Sequence, residues 1–376
     1  MNILLAIQNL QLGGAERQVI ELAHGLKGFG HKVTICCLNS LGPLAKDAQR
    51  QGLDVVCLNK RNKFDVFVVY RFANLIKQKK TEVLQTFLFG ADLWGRLAGR
   101  LAGVKVLLTS NRAGGLKKGN IELWADRLLW SLADGLISNT TIGKELISKN
   151  AKIPLEYVSV LHNGMDLSRF DNMPKKEKAR QVLGISLQCK IVIIVGTVKP
   201  VKNHKMMVRV TQRLKAVYPN VRILVIGGSI KDWDKEIKQY AEQADVSENL
   251  MFLGQRTDVP ETLAAADAGI LCSLSEGFPN AIMEYMAAGL PVVATDVGGV
   301  RDLITPDATG YLVPSDDDQA MAQRLLDLFK DPVKAGEMGQ AGRRWVRENC
   351  DFMQLARKTE AVYREIYQRK TGLVRP

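Results

Sequence analysis

The stretch SLSEGFPNAIMEYMAAGLPVVATDVGG (273–299) carries two carboxylates, Glu276 and Glu284, on either side of a predicted helix start. Gly277 and Pro279 stand at the loop-to-helix junction. Proline suits a first helical position, where its missing N–H has no intrahelical partner to lose. Asn280–Ala288 are mostly good helix formers, Gly289 stops the helix, and the apolar Val292–Ala294 reads as a buried strand. Such a loop presents free backbone N–H groups at the positive end of a helix dipole, which makes an anion site. A carboxylate such as Glu284 cannot help to bind a phosphate, but it suits a neighbouring polyhydroxyl group such as a ribose. Phosphate beside ribose describes a nucleotide.

A second junction of this kind lies near the N-terminus. The apolar run Ile3–Ile7 leads through QNLQLGGAER into a helix, with Gly13 and Gly14 where the loop turns. Glycines there let backbone amides approach a phosphate closely, and a tight turn without a ligand explains them equally well. The run does not match the dinucleotide fingerprint G-x-G-x-x-G.

The elements that must hold these loops alternate along the chain. Strands are predicted at 32–37, 55–58, 83–86, 106–109, 136–138 and 158–161, with helices between them. The segment NGMDLSRFDNMPKKEK (163–178) interrupts the alternation with a turn signal, a proline and a charge run. A second series then runs through strands at 191–195, 221–226, 251–253, 268–271 and 292–294. The reading is α/β: two Rossmann-like doubly wound domains, at 1–165 and 166–352, whose binding edges face each other across a cleft. A last helix at 352–370 crosses back, so that about 353–376 belongs with the first domain.

The chain has 376 residues and a net charge of +13. Residues 1–180 hold 27 Lys and Arg against 15 Asp and Glu, while the remainder hold 25 against 24. The basic excess therefore sits in the first half, with clusters at 60–63 (KRNK), 77–80 (KQKK) and Lys117–Lys118. A basic half suits an anionic partner or an anionic membrane surface, or is simply a solvated face. A nucleic-acid reader would need an aromatic-studded sheet or a reading helix, and the sequence has neither. The start of the chain lacks a basic n-region and a small-residue cleavage site, and no apolar run reaches the ~18 residues of a membrane span. Six scattered cysteines without a C-x-x-C fit a reducing cytoplasm and argue against a zinc site. Two D-x-D pairs, Asp232/Asp234 and Asp316/Asp318, fall at predicted helix starts and read as caps, not metal ligands.

Taken together, GGAER (13–17), NGMDLSRF (163–170), VGTVKPVKNH (195–204), FLGQRTDVPETLAAAD (252–267) and the E-x7-E stretch from Glu276 to Glu284 resemble a family 4 glycosyltransferase of the two-domain GT-B architecture. The resemblance covers nearly the whole chain and implies a retaining enzyme that moves a sugar from a nucleoside-diphosphate sugar, such as a UDP- or GDP-sugar. It implies that Glu284 holds the donor ribose and Glu276 contacts the donor sugar. The amides of Gly277, Phe278, Pro279 and Asn280 would span sugar and diphosphate, proline supplying backbone only. Lys202 would neutralise the departing diphosphate, Gly13 and Gly14 would close on the phosphates, and Gln255 and Arg256 would lie beside the base. No metal or other cofactor is expected, because amides and a cation stabilise the leaving group.

The first domain would bind a glycan or lipid-linked acceptor, with Arg112, Lys117 and Lys118 on its loop edge facing phosphates or a membrane on the cytoplasmic side. This chain departs from the family pattern twice. Thr197 stands where an arginine is common, with Lys199 as its candidate replacement, and Phe87-Leu88-Phe89-Gly90 occupies a turn where many relatives carry a histidine. His162 falls in the linker and reads as structural. A sugar-nucleotide epimerase, a phosphorylase or an inactive homologue of the same fold is the open alternative. A nicotinamide-dependent oxidoreductase is excluded by the missing fingerprint.

Overall fold

A computed structural model of the chain describes residues 1–62, 65–111 and 120–372. Arg112, Lys117, Lys118 and Lys63 lie outside the described residues. The chain divides into unit 1, Met1–Asp166 with Cys350–Pro376, and unit 2, Leu167–Asn349.

Unit 1 carries β1 (Asn2–Ile7), α1 (Gly14–Gly28), β2 (Lys32–Cys37), α2 (Pro43–Arg50), β3 (Asp54–Cys57), α3 (Val68–Gln78), β4 (Val83–Phe87), α4 (Phe89–Ala102), β5 (Val106–Asn111), α5 (Asn120–Leu129), β6 (Gly135–Ser138), α6 (Thr141–Ala151) and β7 (Val158–Val160). Unit 2 follows with α7 (Lys176–Val182), β8 (Ile191–Val195), α8 (His204–Lys215), β9 (Arg222–Ile226), α9 (Trp233–Gln243), β10 (Leu250–Gly254), α10 (Val259–Leu263), β11 (Ala268–Leu271), α11 (Asn280–Ala287), β12 (Val292–Thr295), β13 (Gly310–Val313), α12 (Asp318–Lys330) and α13 (Pro332–Asn349). The chain then returns to unit 1 as α14 (Phe352–Thr371).

Each unit is built on one parallel sheet, in the order β3-β2-β1-β4-β5-β6-β7 in unit 1 and β10-β9-β8-β11-β12-β13 in unit 2. Parallel strands covered by helices on both faces are apolar throughout, which is why β1 and β8 read as unbroken hydrophobic runs. In unit 1 one face packs against α1 and α14 and the other against α3 and α4. The α14 helix is locked in place by Tyr363, whose hydroxyl donates to Gln85 Oε1, while Gln85 Nε2 donates to Ser110 Oγ at 2.7 Å. The segment leaving unit 1 is held by Gln18 of α1. Its side-chain Nε2 donates to the Gly164 carbonyl at 2.5 Å, and its Oε1 accepts from the Gly164 N–H at 2.9 Å.

The strand β13 is one element that the sequence pattern does not announce, and α7, which begins inside the segment read as a charged interruption, is another. The strand is four residues long, starts with a glycine and lies at the sheet edge, paired to β12. Among the described residues no helix is long and apolar enough to cross a membrane.

Candidate functional site

In doubly wound sheets, ligands bind where the strand order reverses, beyond the carboxyl ends of the strands. In unit 2 this switch point lies between β8 and β11. The loop after β8 carries Thr197, Lys199 and Lys202, and the loop after β11 carries Glu276–Pro279. The two loops are bonded to each other. The Leu274 N–H donates to the Val201 carbonyl at 2.8 Å, and Lys202 Nζ donates to Glu276 Oε1 at 2.5 Å. Ser273 Oγ donates to the same carboxylate oxygen at 2.5 Å. The stem of Lys202 passes 3.5 Å from where a Cβ on Gly196 would stand, an ordinary contact distance, so it is the φ of 154° that favours glycine there.

The helix α11 is fixed to this edge by the residue after Glu284. Tyr285 is fully buried. Its hydroxyl accepts from the Val195 N–H at 2.6 Å and donates to the Ile270 carbonyl at 3.2 Å, bridging the last residues of β8 and β11. Gly269 makes room for the ring, which a side chain there would strike. Burial pushes the Tyr285 phenol well above its ordinary pKa, so it stays a donor. The helix itself starts at Asn280, with Pro279 as its N-cap and no side-chain cap. The proline thus sits one position earlier than a first helical residue, at ψ 111, where the chain is still extended. Phe278 is buried, Gly277 accepts from the Gly299 N–H at 3.0 Å, and half-buried Glu284 lies one turn into the helix.

The remaining sequence-proposed residues of unit 2 lie around this centre. Gln255 is exposed after β10, and Arg256 forms a two-pronged pair with Asp258, whose carboxyl it holds below the usual range. Lys199 lines a cavity of about 200 Å³ with Val198, Pro200, His204, Trp233 and Ile237. His204 is 2% exposed, and neither ring nitrogen has a partner among the described residues. Burial, reinforced by the charge of Lys202, pushes its pKa down to about 4.

The capping reading of the D-x-D pairs does not hold. Asp317, between the two expected residues, caps α12 by accepting from the Ala320 N–H at 2.8 Å. Asp316 and Asp318 pair with Arg209 and Arg213, and Asp316 also accepts from Asn203 Nδ2 at 2.9 Å. Asp316 itself takes a positive φ of 63°, two residues before the helix begins. Asp232 occupies the N-cap of α9 but makes no side-chain cap bond, and the Asp234 N–H donates to Ser229 Oγ at 3.0 Å. Among the described residues no three His, Cys, Asp or Glu side chains converge as metal ligands.

In unit 1 the strand order reverses between β1 and β4. Gly13 caps α1 and Gly14 is its first residue. The Glu16 carboxyl folds back over Gly13, and burial raises its pKa. Across the switch point, Leu88 caps α4 at φ 67°, ψ 154°. That region is close to glycine-only and costs of order 1–3 kcal/mol. Gly90 packs against the Gln8 side-chain amide so tightly that a Cβ would overlap it.

Sequence reasoning missed Ser273, Tyr285 and Asn203. Only Ser273 left a signal, as a hydroxyl three residues before a loop carboxylate.

A family model described as Glycosyltransferase Family 4 matches residues 12–169, and one described as Glycosyl transferases group 1 matches residues 175–345. The two together take in most of both units. The chain belongs to this glycosyltransferase family and is a glycosyltransferase.

Among curated relatives, it is 25% identical over 337 residues to the UDP-Gal:alpha-D-GlcNAc-diphosphoundecaprenol alpha-1,3-galactosyltransferase of Escherichia coli, covering 86% of each chain. It is 29% identical over 213 residues to the lipopolysaccharide core biosynthesis mannosyltransferase LpsB of Rhizobium meliloti, covering 55% of this chain and 61% of that one. Among solved structures, Anabaena Alr3699/HepE in complex with UDP superposes with a TM-score of 0.88 at 20% identity, covering 96% of this chain and 99% of that one. These likenesses establish the GT-B fold.

Proposed function

We propose that the protein is a retaining transferase that moves a sugar from a UDP- or GDP-sugar to a hydroxyl of a glycan or lipid-linked glycan in cell-surface polysaccharide or glycolipid synthesis. The observation that carries this reading is the Lys202–Glu276 pair at the unit 2 switch point, beside the start of α11. The names of the relatives point the same way. The E. coli protein is named for UDP-Gal and a diphosphoundecaprenol-linked sugar, and the R. meliloti protein for lipopolysaccharide core.

In this reading, the C1–oxygen bond of the donor breaks and its electron pair passes to the terminal phosphate. Lys202 has three ammonium donors, one of them engaged by Glu276, which leaves two for phosphate oxygens. The amides of Gly277, Phe278 and Asn280 add fixed dipoles, and one such donor is worth about 3–4 kcal/mol in the transition state. Glu276, oriented by Lys202 and Ser273, contacts the donor sugar, and Glu284 accepts from the ribose hydroxyls. Lys199 serves as the second phosphate cation in place of the arginine that Thr197 replaces, and Gln255 and Arg256 flank the base. Gly13 and Gly14, at the start of α1, are the remaining residues that this reading assigns to the donor phosphates. The acceptor hydroxyl attacks on the face the diphosphate leaves, and its proton goes to the departing phosphate, so the turn at Leu88 needs no histidine.

No metal takes part in this scheme. The acceptor meets the basic unit 1 at the cytoplasmic face of an anionic membrane, and Arg112, Lys117 and Lys118 are the sequence's candidates for contacting its phosphates. The test is transfer from a panel of UDP- and GDP-sugars to glycan and polyprenyl-diphosphate-linked acceptors, with EDTA present and the product anomer read by NMR. Transfer with retention is expected. An inverted product, or no turnover of any donor, contradicts the proposal.

A further inference from the structure

The approach to α3 holds three large apolar side chains in water. Val66 is 57% exposed, Phe67 69% and Tyr70 62%. They are not there for want of an interior, since the opposite face of the same helix buries Val68, Phe72, Ala73 and Ile76 in the unit 1 core. Nor do they hang on a slack loop. Asp65 is nearly buried and accepts from the Arg61 N–H at 3.0 Å and from Arg71 Nη2 at 2.6 Å, while its carbonyl accepts from the Val68 N–H at 3.2 Å. Arg71 Nε also donates to the Leu58 carbonyl at 3.3 Å, and the Lys60 N–H to the Leu38 carbonyl at 2.8 Å. A half-buried polar network thus fixes the backbone that holds Val66 and Phe67 outward, after the edge strand β3.

The surroundings are basic. Residues 58–80 hold seven Lys and Arg against one acidic residue, Asp65. Lys60, Arg61, Lys77 and Lys80 make no ion pair among the described residues, whereas Arg71 is engaged by Asp65 and Lys79 by Asp54. Lys60 lies over the Trp94 ring at 5.7 Å. Aromatic and aliphatic tips framed by unpaired cations match the chemistry of an anionic bilayer surface, where rings sit at headgroup level and lysines meet lipid phosphates.

We propose that the Val66–Phe67–Tyr70 patch, with Lys60 and Arg61, is an interfacial anchor that seats unit 1 on an anionic lipid surface. It rests on the reading of a lipid-linked acceptor only for its purpose; its binding is independent of catalysis. The anchor inserts a few side chains and spans nothing. Its apolar part supplies salt-resistant partitioning, and its cations supply the preference for anionic lipid and the salt-sensitive part.

The experiment is flotation of the full-length protein with vesicles of phosphatidylcholine alone and with phosphatidylglycerol added, no acceptor lipid being present, over a salt series. Wild type is expected to bind the anionic vesicles. Phe67→Ser/Tyr70→Ser lowers the partition coefficient about tenfold at every salt concentration. Lys60→Gln/Arg61→Gln weakens binding at low salt and flattens the salt dependence. Val333→Ser, an equally exposed apolar site in unit 2, leaves binding unchanged. All four side chains replaced in unit 1 lie at the surface, and matching melting curves show that the variants fold.

Transfer to a short, water-soluble acceptor stays at the wild-type rate in Phe67→Ser/Tyr70→Ser. Three results overturn the anchor: no binding of wild type to anionic vesicles, wild-type binding by the Phe67/Tyr70 variant, or binding only after acceptor lipid is added, which would make the patch an acceptor contact. Vesicle binding without transfer to any acceptor would instead sink the proposed function and leave the anchor standing.

Discussion

At the unit 2 switch point the two loops are bonded to each other, Leu274 N–H to the Val201 carbonyl and Lys202 to Glu276, with Tyr285 bracing the helix behind them. At the unit 1 switch point the corresponding loops meet through Gln8 packed on Gly90, and Leu88 takes a conformation close to glycine-only. Charge separates them as well. Unit 1 holds 28 of the 52 Lys and Arg but 16 of the 39 Asp and Glu, whereas unit 2 holds 24 against 23. A preformed polar centre in a nearly neutral unit suits one defined small ligand, the donor. A basic unit suits a larger anionic partner.

The sharpest way to break this contrast is at Lys202. Lys202→Ala should lower kcat by about 10²–10³, equivalent to ~3–4 kcal/mol, in steady-state transfer assays. Because Lys202 and Glu276 share one contact, their effects should be strongly non-additive in a double-mutant cycle. Additive losses would show that the pair does not act as a unit.

Acid should weaken unit 2 ahead of unit 1. His204 is held neutral by burial, with its pKa near 4 against about 6.5 for the unfolded chain. Below 6.5 the unfolded chain takes up the proton first, so stability is complete above that pH and is lost as pH falls toward 4, by about 3 kcal/mol in all. In unit 1, His31 is also pushed down, by burial and by the N-terminal ammonium, and Glu360 at 2.9 Å offsets only part of this. Denaturant unfolding across pH 4–7 should show a slope that His204→Phe removes and His31→Phe largely leaves.

Two structural clamps allow a comparison of equal size. Tyr285→Phe leaves the Val195 N–H without its partner, and Gln18→Leu does the same to both peptide groups of Gly164. Each should cost about 1–3 kcal/mol in urea unfolding, as buried polar groups without partners do. Only Tyr285→Phe should also raise the donor KM, because it alone braces the proposed donor edge. The smallest effect is expected at Leu88. Relief of strain in Leu88→Gly offsets its lost contacts, for a net change within about 1 kcal/mol, whereas Phe87→Ala next to it should cost about 3–5 kcal/mol.

Glu276 and Glu284 stood out in the sequence because they flank a loop-to-helix junction that follows an apolar run, whereas Lys202 was singled out only by the family resemblance. The parallel sheets were legible because β1, β8 and β12 are apolar on both faces. Tyr285 was hidden because its hydroxyl serves Val195, 90 residues away, and nothing local marks it. Asp316 and Asp318 looked like caps because a helix follows, but Arg209 and Arg213, on another helix, decide where those carboxylates go. The strand β13 was too short to show a period, and the strain at Leu88 is invisible in a residue that usually avoids such geometry.

The division of labour within the donor centre is tested most directly by calorimetric titration of UDP and GDP into wild type, Glu284→Ala and Glu276→Ala, paired with turnover of the matching sugar donor. Glu284→Ala should weaken nucleotide binding about tenfold or more, as the loss of a charged hydrogen-bond acceptor does. Glu276→Ala should bind the nucleotide about as wild type does and lose its effect in kcat. Equal loss of nucleotide affinity in both variants would contradict the assignment of Glu284 to the ribose and Glu276 to the sugar.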